Sequence, residues 1–243
     1  MGHILDRPVW AALTTRQTGI GLGNDQARRY RPEINLFGAS LDRSPQCLAA
    51  LGKLAGVGGS LALVEADAWT DIPGTRVEKI AFVDQMVWDG RAPENATVDH
   101  VTLGDADAPE MLELATLTRP GPYSEATHRM GDFIGVRVDG QLAAMAGQRF
   151  RLPGYTEVSA VCTHPDHRGQ GYAARLMQIL IGRILAAGET PFLHTYPDNM
   201  GAIRLYEQLG FRLRTTLTVS FLESLAPATT PSDDREPPVP LAH

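Results

Sequence analysis

The sequence predicts an α/β protein with two consecutive folded regions and a tail. Three observations support this prediction. Helical and strand-like apolar patterns alternate along most of the chain. The dipeptide Asp139-Gly140 lies between two apolar runs, which is typical of a β-hairpin turn. With 243 residues, of which 43% are hydrophobic, the chain is also long enough to bury a core.

Two changes in composition divide the chain. The stretch Asp89–Asn95 is rich in turn-forming residues and lacks core residues, as expected of a linker. From residue 226 onward the sequence is rich in proline and polar residues and has no apolar periodicity. We therefore expect a first region at 1–92, a second region at 97–224 and a disordered tail at 225–243.

The first region is predicted to be a small α/β unit. Its elements are a strand at Ile34–Ala39, a helix that Ser44-Pro45 opens and that runs through Leu54, and strands at Ser60–Glu65 and Lys79–Trp88. Two glycine clusters, at 19–23 and 56–59, are interpreted as turns. The first has Asn24 where a dinucleotide-binding loop needs its third glycine. The first region therefore shows no catalytic pattern.

The second region alternates regularly between helices and strands. Its predicted elements in chain order are a helix at 107–117, strands at 131–138, 141–149 and 155–163, a helix at 170–187, a strand at Pro191–Tyr196, a helix at Asn199–Leu209 and a strand at Phe211–Phe221. The helix at 170–187 carries apolar residues at three- and four-residue spacing and ends before Gly188. We expect that apolar stripe to be part of the core.

Composition excludes several classes of function. Lysine and arginine total 22 against 28 acidic residues, so the net charge of −6 argues against nucleic acid or an anionic membrane as the main partner. No apolar run approaches the roughly 18 residues of a membrane helix. The two cysteines, Cys47 and Cys162, lack metal-ligand spacing, so neither a metal site nor a disulfide is expected. The first eight residues resemble no signal or transit peptide, and the cytoplasm is the expected location.

The most informative segment is the strand from Glu157 to Thr163 and the glycine-rich turn that follows it. This turn, Arg168 to Gly171, opens the helix at 170–187. The first N–H groups of a helix have no internal partner and lie at the positive end of its dipole, so they can bind a phosphate group. Arg168 adds a positive charge beside them. We expect an anion-binding site at this turn.

Two motifs in this half resemble a known family. Arg168-x-x-Gly171-x-Ala173 resembles the acyl-coenzyme A pyrophosphate loop of the GNAT superfamily of N-acetyltransferases. The run from Asn199 through Tyr206 to Phe211 is similar to that family's second motif, Asn-x-x-Ala-x-x-x-Tyr-x-x-x-Gly-Phe. The resemblance covers about residues 98–224 and implies a mixed, mainly antiparallel sheet with flanking helices.

A finer resemblance concerns the branch of the superfamily. The run Val161-Cys162-Thr163-His164-Pro165, together with the tandem layout of the two regions, looks like the glycine N-acyltransferase-like branch. In that branch a degenerate first half precedes a competent second half. The resemblance therefore implies that residues 1–92 form a degenerate GNAT-like half.

The resemblance and the residue pattern together suggest a set of site residues. In the family, the residue that matches Tyr206 protonates the departing thiolate. Glu157 shares a strand face with Ser159 and Val161 by alternation, and we expect it to be the general base; a solvated strand carboxylate is the alternative. Asn199 is expected to cap its helix, to contact the coenzyme, or both. The expected coenzyme-binding residues are Val161, Cys162, Thr163, Arg168, Gly169, Gln170, Gly171, Tyr172, Ala173, Ala174 and Asn199.

The function implied by the resemblance is that of an acetyl-coenzyme A-dependent N-acetyltransferase without a metal. It would transfer the acetyl group directly to a primary amine of a small molecule or an amino acid. The alternative is a non-catalytic acyl-coenzyme A sensor or interaction module. The acceptor, the acyl length and the oligomeric state, including a homodimer, stay open at this point.

Overall fold

The computed structural model describes residues 2–90 and 97–226. The helices are α1 (Pro8–Thr14), α2 (Pro45–Gly56), α3 (Ala108–Thr118), α4 (Tyr172–Ala186) and α5 (Met200–Gln208). The strands are β1 (Gly21–Gly23), β2 (Ala27–Tyr30), β3 (Gly38–Ser40), β4 (Ser60–Glu65), β5 (Thr75–Trp88), β6 (Val101–Leu103), β7 (Phe133–Val138), β8 (Gln141–Leu152), β9 (Tyr155–Thr163), β10 (Thr190–Thr195) and β11 (Phe211–Ser224). Residues 91–96, in the expected linker, and residues 227–243, in the expected tail, lie outside the described residues.

One eight-stranded sheet organises the fold. Its strand order is β4-β11-β5-β10-β9-β8-β7-β6. Neighbouring strands are antiparallel except β9 and β10, which are parallel. The predicted fold class, a mixed and mainly antiparallel sheet with flanking helices, is confirmed. A separate three-stranded sheet consists of β1, β2 and β3.

The large sheet runs across the boundary expected near residue 92. Strand β5, from the first region, lies between β10 and β11 of the second region. Its register pairs Val87 with Phe192 on one side and Ala81 with Val219 on the other. The two regions therefore share one sheet and its hydrogen bonds.

Helix α4 packs on the half of the sheet that carries the glycine-rich turn. Its buried residues recur at helical spacing and are Leu176, Met177, Leu180, Ile181 and Ile184, each at most 2% exposed. They pack against sheet residues such as Ile134, Val158 and Leu193. Full burial of one such side chain contributes about 1.5–3 kcal/mol, so this stripe fixes the helix on the sheet. The prediction that the stripe belongs to the core is confirmed.

The first region differs from its prediction in detail. Helix α2 begins as expected, with the Ser44 hydroxyl accepting a hydrogen bond from the Cys47 N–H at 3.5 Å. The expected strand at Ile34–Ala39 is wrong in its first half, because the N–H groups of Ile34 and Asn35 turn back to the carbonyl of Arg31. Helix α1 and the short strands β1 and β2 of the first region, and β6 of the second, were not predicted.

No helix within residues 2–90 and 97–226 combines the length and apolar character that a membrane crossing needs.

Candidate active site

The glycine-rich turn has the geometry of an anion-binding site. Gly171 is the N-cap residue of α4, and both Gly169 and Gly171 have positive φ angles, 78° and 75°. A Cβ at Gly169 would meet no atom within 4 Å, so the left-handed backbone, and not lack of space, favours glycine there. The first N–H groups of α4, from Tyr172 onward, have no carbonyl partner inside the helix. They are available to an anion.

A groove of about 820 Å³ runs along this turn. The end of β9, the start of α4 and the start of α5 form its walls. The expected coenzyme residues that line it are Val161, Cys162, Thr163, Arg168, Gly169, Gly171, Tyr172, Ala173, Ala174 and Asn199. Gln170 lies outside this lining, and its amide oxygen accepts a hydrogen bond from the Tyr172 hydroxyl at 2.8 Å.

Strands β9 and β10 diverge beside the groove. Their pairing ends at Phe192 and Glu157, after which β10 continues to pair with β5 and β9 with β8. Strand β9 also carries one extra residue between Ser159 and Cys162, and Ala160 there has a φ of 51°. A bulge of this kind redirects the backbone and side chains of a strand. The divergence leaves a wedge between the two strands that an extended ligand can enter.

A second cavity, of about 180 Å³, adjoins the groove. The residues that line both spaces are Arg119, Pro120, Val161, Asn199, Ala202 and Tyr206. Asn199 caps α5, since its side-chain oxygen accepts a hydrogen bond from the Ala202 N–H at 3.3 Å. Because Tyr206 lines both spaces, its side chain lies where they meet. Burial raises the pKa of its hydroxyl to about 12. A phenol with this pKa stays protonated at neutral pH and can donate a hydrogen bond.

The second cavity is built by both regions of the chain. Its apolar wall consists of Phe37, Val64, Val83, Val219 and Phe221. Its ionisable or polar lining includes Arg119, Arg149, Ser159 and His194. The sequence motifs did not point to this cavity, because its residues come from six strands, three loops and α5, far apart in the chain.

Glu157 is completely buried and is held by three groups. Its carboxylate accepts hydrogen bonds from Nε and Nη2 of Arg149 at 2.8 and 2.6 Å, and from the Phe150 N–H at 3.3 Å. Nδ1 of His194 lies 2.7 Å from Oε1. Burial alone would raise the pKa of Glu157, but the charge of Arg149 and the hydrogen bonds from Arg149 and His194 outweigh it and lower the pKa to about 2.

This environment requires a correction to the role expected of Glu157. A carboxylate with a pKa of about 2 is a very weak base at neutral pH, and Glu157 lines neither the groove nor the second cavity. Simple alternation was expected to place Glu157 with Ser159 and Val161, but the bulge at Ala160 interrupts that alternation before Val161. The partners that bury Glu157 lie on other strands. Glu157 is therefore better described as the anchor of Arg149 and His194 than as the group that accepts a proton.

The hydrogen bonds around His194 define its tautomer. Arg214 donates to the side-chain oxygen of Gln85 at 2.8 Å, so the Gln85 amide nitrogen points the other way. That nitrogen donates to the Leu5 carbonyl at 2.9 Å and lies 3.1 Å from Nε2 of His194. Nε2 of His194 is therefore the acceptor, and Nδ1 carries the proton that is donated to Glu157.

The network of Arg149, His194 and Gln85 was missed at the level of sequence. Its one available signal was polar residues within otherwise apolar strands. Arg149 interrupts the apolar β8, His194 lies in the apolar β10, and Gln85 lies in β5. Buried polar groups in strands need partners, but the sequence does not show which strands are neighbours.

Two further features concern chemistry at the groove. Cys162 is buried, and burial raises its pKa to about 11, so its thiol stays protonated. Within the part of the chain that the structure describes, no three His, Cys, Asp or Glu residues cluster in a way that would hold a metal ion.

Comparison with known proteins adds a family-level finding. The sequence model of FR47-like proteins matches residues 134–219. A protein from Novosphingobium aromaticivorans, assigned to the GNAT family of acetyltransferases, is 44% identical in sequence. The alignment covers 92% of this chain and 99% of that one, with a TM-score of 0.85. A search among curated proteins gave no match.

More distant structures share the fold. A GCN5-related N-acetyltransferase from Kribbella flavida is 18% identical over 89% of this chain and 96% of its own, with a TM-score of 0.57. A GCN5-related N-acetyltransferase-like protein from Streptococcus suis is 19% identical over 89% of this chain and 92% of its own, also with a TM-score of 0.57.

Proposed function

The chain belongs to the GNAT family of acetyltransferases, and on that basis we propose that it transfers an acetyl group from acetyl-coenzyme A directly to a primary amine of a small molecule or an amino acid. The single observation that carries this proposal is the position of Tyr206. It lies where a groove with an anion-binding turn meets a second, separate cavity. Such an arrangement brings two substrates together at one point.

The groove is proposed to hold the coenzyme. Its pyrophosphate would accept hydrogen bonds from the backbone at Gly169 to Ala173, with Arg168 adding a positive charge. Its extended arm would enter the wedge where β9 leaves β10, and free backbone groups near Val161 would hydrogen-bond to it. The thioester would then lie beside Tyr206.

The amine is proposed to react as the neutral form that the second cavity favours. An alkyl amine has a pKa near ~10, so only about one molecule in a thousand is neutral at pH 7. Two guanidinium groups, of Arg119 and Arg149, and an apolar wall make the protonated form less stable inside the cavity. The cavity would thereby lower the pKa of the bound amine without a carboxylate base.

The transfer then requires no covalent intermediate on the protein. The amine nitrogen attacks the carbonyl carbon, the carbon–sulfur bond breaks, and the proton lost by the amine ends on the coenzyme sulfur. Tyr206 would donate a hydrogen bond to that sulfur as negative charge develops on it. With a pKa of about 12, the phenol stabilises the thiolate mainly through this hydrogen bond.

We also propose that the chain is part of the glycine N-acyltransferase-like branch with a tandem layout. The run from Val161 to Pro165 supports this affiliation. A further support is that the first region supplies β4 and β5 to the shared sheet and three apolar residues to the second cavity. The first region would then serve the acceptor site and not the coenzyme site.

The experiment that tests the proposed function is a thiol-release assay. Purified protein is mixed with acetyl-coenzyme A and a panel of amines, and free thiol is followed together with the mass of the acetylated amine. Amine-dependent thiol release with a matching acetylated product supports catalysis. Tight coenzyme binding without release for any amine would instead favour the acyl-coenzyme A sensor.

A further inference from the structure

The charge of the second cavity restricts what it can bind. Its lining includes the guanidinium groups of Arg119 and Arg149, and among the described residues that line it there is no aspartate or glutamate. A dication such as a polyamine needs carboxylates around its second ammonium group. The cavity instead suits an acceptor that carries an anionic group in addition to its amine.

Arg149 is the guanidinium that is fixed in place. Its Nε and Nη2 atoms are bound to Glu157, and its side chain lies against the rings of Phe150 and Phe37, with the guanidinium carbon 4.6 and 5.1 Å from the ring centroids. Within residues 2–90 and 97–226, no hydrogen bond engages Nη1. The guanidinium of Arg149 therefore presents Nη1 to the cavity as one fixed donor group, and its side chain loses no rotamer freedom when a ligand binds there.

Arg149 and Tyr206 occupy different parts of the site. Arg149 lines the second cavity but not the groove, whereas Tyr206 lines both. An acceptor whose amine lies beside Tyr206 therefore extends away from the coenzyme to reach Arg149.

The remaining wall is apolar. Phe37, Val64, Val83, Val219 and Phe221 come from the first region and from β11 and face the same space. The cavity holds about 180 Å³, room for roughly six water molecules at about 30 Å³ each. This is the size of a small molecule with one apolar substituent, and an acceptor without that substituent would leave the wall in contact with water.

We propose that the acceptor is an amino carboxylate with a branched or aromatic apolar side chain, whose carboxylate binds Nη1 of Arg149. The proposal rests on the proposed function and narrows its substrate class. The amine lies at the meeting point beside Tyr206, and the side chain packs on the apolar wall. Arg149 is then the residue that determines specificity, and Glu157 holds it in position.

The test uses the wild-type protein and matched acceptors. L-Leucine is compared with leucinamide and 3-methylbutylamine, which keep the side chain but lack the carboxylate, with glycine, which lacks the side chain, and with spermidine. The measured quantity is kcat/KM for acetylation at fixed acetyl-coenzyme A. Because leucinamide has the more acidic ammonium group, it has more neutral amine at pH 8 and reacts faster if the carboxylate contributes nothing.

The expected result is a preference for leucine of at least ~10-fold over leucinamide and of at least ~100-fold over glycine. Equal or faster acetylation of leucinamide, 3-methylbutylamine or spermidine would overturn the proposed substrate class and leave the acetyltransferase function intact. Acetylation of none of the five, and of no other amine in a broader panel, would instead overturn the proposed function itself.

A substitution tests whether Arg149 determines the acceptor specificity. Arg149→Lys keeps a positive charge for Glu157 but lacks the planar guanidinium, so we expect the ratio of kcat/KM for leucine to that for leucinamide to fall ~10–100-fold. Arg151→Lys, on the same strand but not in the cavity lining, is the matched control. An unchanged ratio of leucine to leucinamide in Arg149→Lys would contradict the assignment. If this variant fails to fold, the wild-type comparison still decides the substrate class.

Discussion

Oε1 of Glu157 lies 2.7 Å from Nδ1 of His194, and both side chains are almost entirely buried. The pair joins the start of β9 to the end of β10, at the point where the two parallel strands separate. Because the same carboxylate holds Arg149, one buried anion fixes two groups that line the second cavity. The shape of the proposed acceptor site thus depends on this carboxylate.

The stability of the protein is expected to depend on the charge of Glu157. Its pKa is about 2 in the folded state, against 4.5 for an ordinary glutamate. The ionised form therefore stabilises the fold fully above pH 4.5, and this contribution is lost as the pH falls through 2. The shift corresponds to about 3 kcal/mol, at about 1.4 kcal/mol per pKa unit.

Urea unfolding between pH 5 and pH 2 measures this contribution. Glu157→Gln should unfold with about 3–5 kcal/mol less free energy at pH 7, since it leaves the Arg149 guanidinium buried without its counter-charge. It should also show a weaker loss of stability below pH 5 than the wild type. Glu78→Gln, at an exposed position of β5, is the control and should behave like the wild type. Equal acid sensitivity of the wild type and Glu157→Gln would contradict the described environment.

A second prediction concerns which ring nitrogen of His194 carries the proton. Nitrogen NMR of the histidine-labelled protein at neutral pH should show the proton on Nδ1 and an unprotonated Nε2, because Gln85 donates to Nε2. Gln85→Met removes that donor and should shift the Nε2 signal. Asn24→Ala, which removes a side chain bonded to the N–H groups of Gln26 and Ala27, should not. A proton on Nε2 in the wild type would show that the Gln85 amide has the opposite orientation.

Tyr206→Phe tests the hydroxyl at the meeting point of the two cavities. Turnover should fall by ~10²–10⁴, while the affinity for acetyl-coenzyme A changes only a few fold, because only the hydrogen bond to the sulfur is lost. Tyr155→Phe is the matched control, since its hydroxyl contacts His3 and lines neither cavity. Equal turnover in the wild type and Tyr206→Phe would remove the tyrosine from the mechanism.

Gly171→Glu tests the anion-binding turn. A carboxylate at the N-terminus of α4 would repel the pyrophosphate and occupy its space, so calorimetry should detect no binding of acetyl-coenzyme A. Gly171→Ala experiences the same backbone strain at a φ of 75° without the charge, and it separates the two effects. It should retain measurable binding. Tight binding by a folded Gly171→Glu variant would mean that the pyrophosphate lies elsewhere.

A fragment of residues 97–226 should not fold on its own. The fragment lacks β5, the strand that pairs with both β10 and β11. Its absence would expose unpaired backbone along the edges of β10 and β11. Expression followed by far-UV circular dichroism and thermal melting with acetyl-coenzyme A checks this. A soluble fragment that the coenzyme stabilises would show that the second region is an independent unit.

The sequence was most informative where local rules decide the structure. Gly171 and Asn199 were placed correctly at the starts of their helices, because helix termini follow from a few neighbouring residues. The Asp139-Gly140 hairpin and the stripe on α4 were predicted for the same reason. The groove is built almost entirely from such local elements, and most of the residues expected to bind coenzyme line it.

The sequence was least informative where distant strands meet. Nothing local indicates that β5 lies between β10 and β11, so the boundary expected near residue 92 did not anticipate a shared sheet. The same lack of information about neighbouring strands explains why Glu157 was expected to be the general base. Its alternation on β9 was visible, but Arg149 and His194 come from neighbouring strands, and only their contacts show that the carboxylate is already paired.

A crystal structure of the protein with coenzyme A tests most directly whether the two substrates meet at Tyr206. We expect the pyrophosphate to contact the backbone at Gly169–Ala173, and the sulfur to lie within hydrogen-bonding distance of the Tyr206 hydroxyl and to face the second cavity. A coenzyme whose sulfur lies away from Tyr206, or points to solvent with the second cavity closed off, would contradict it.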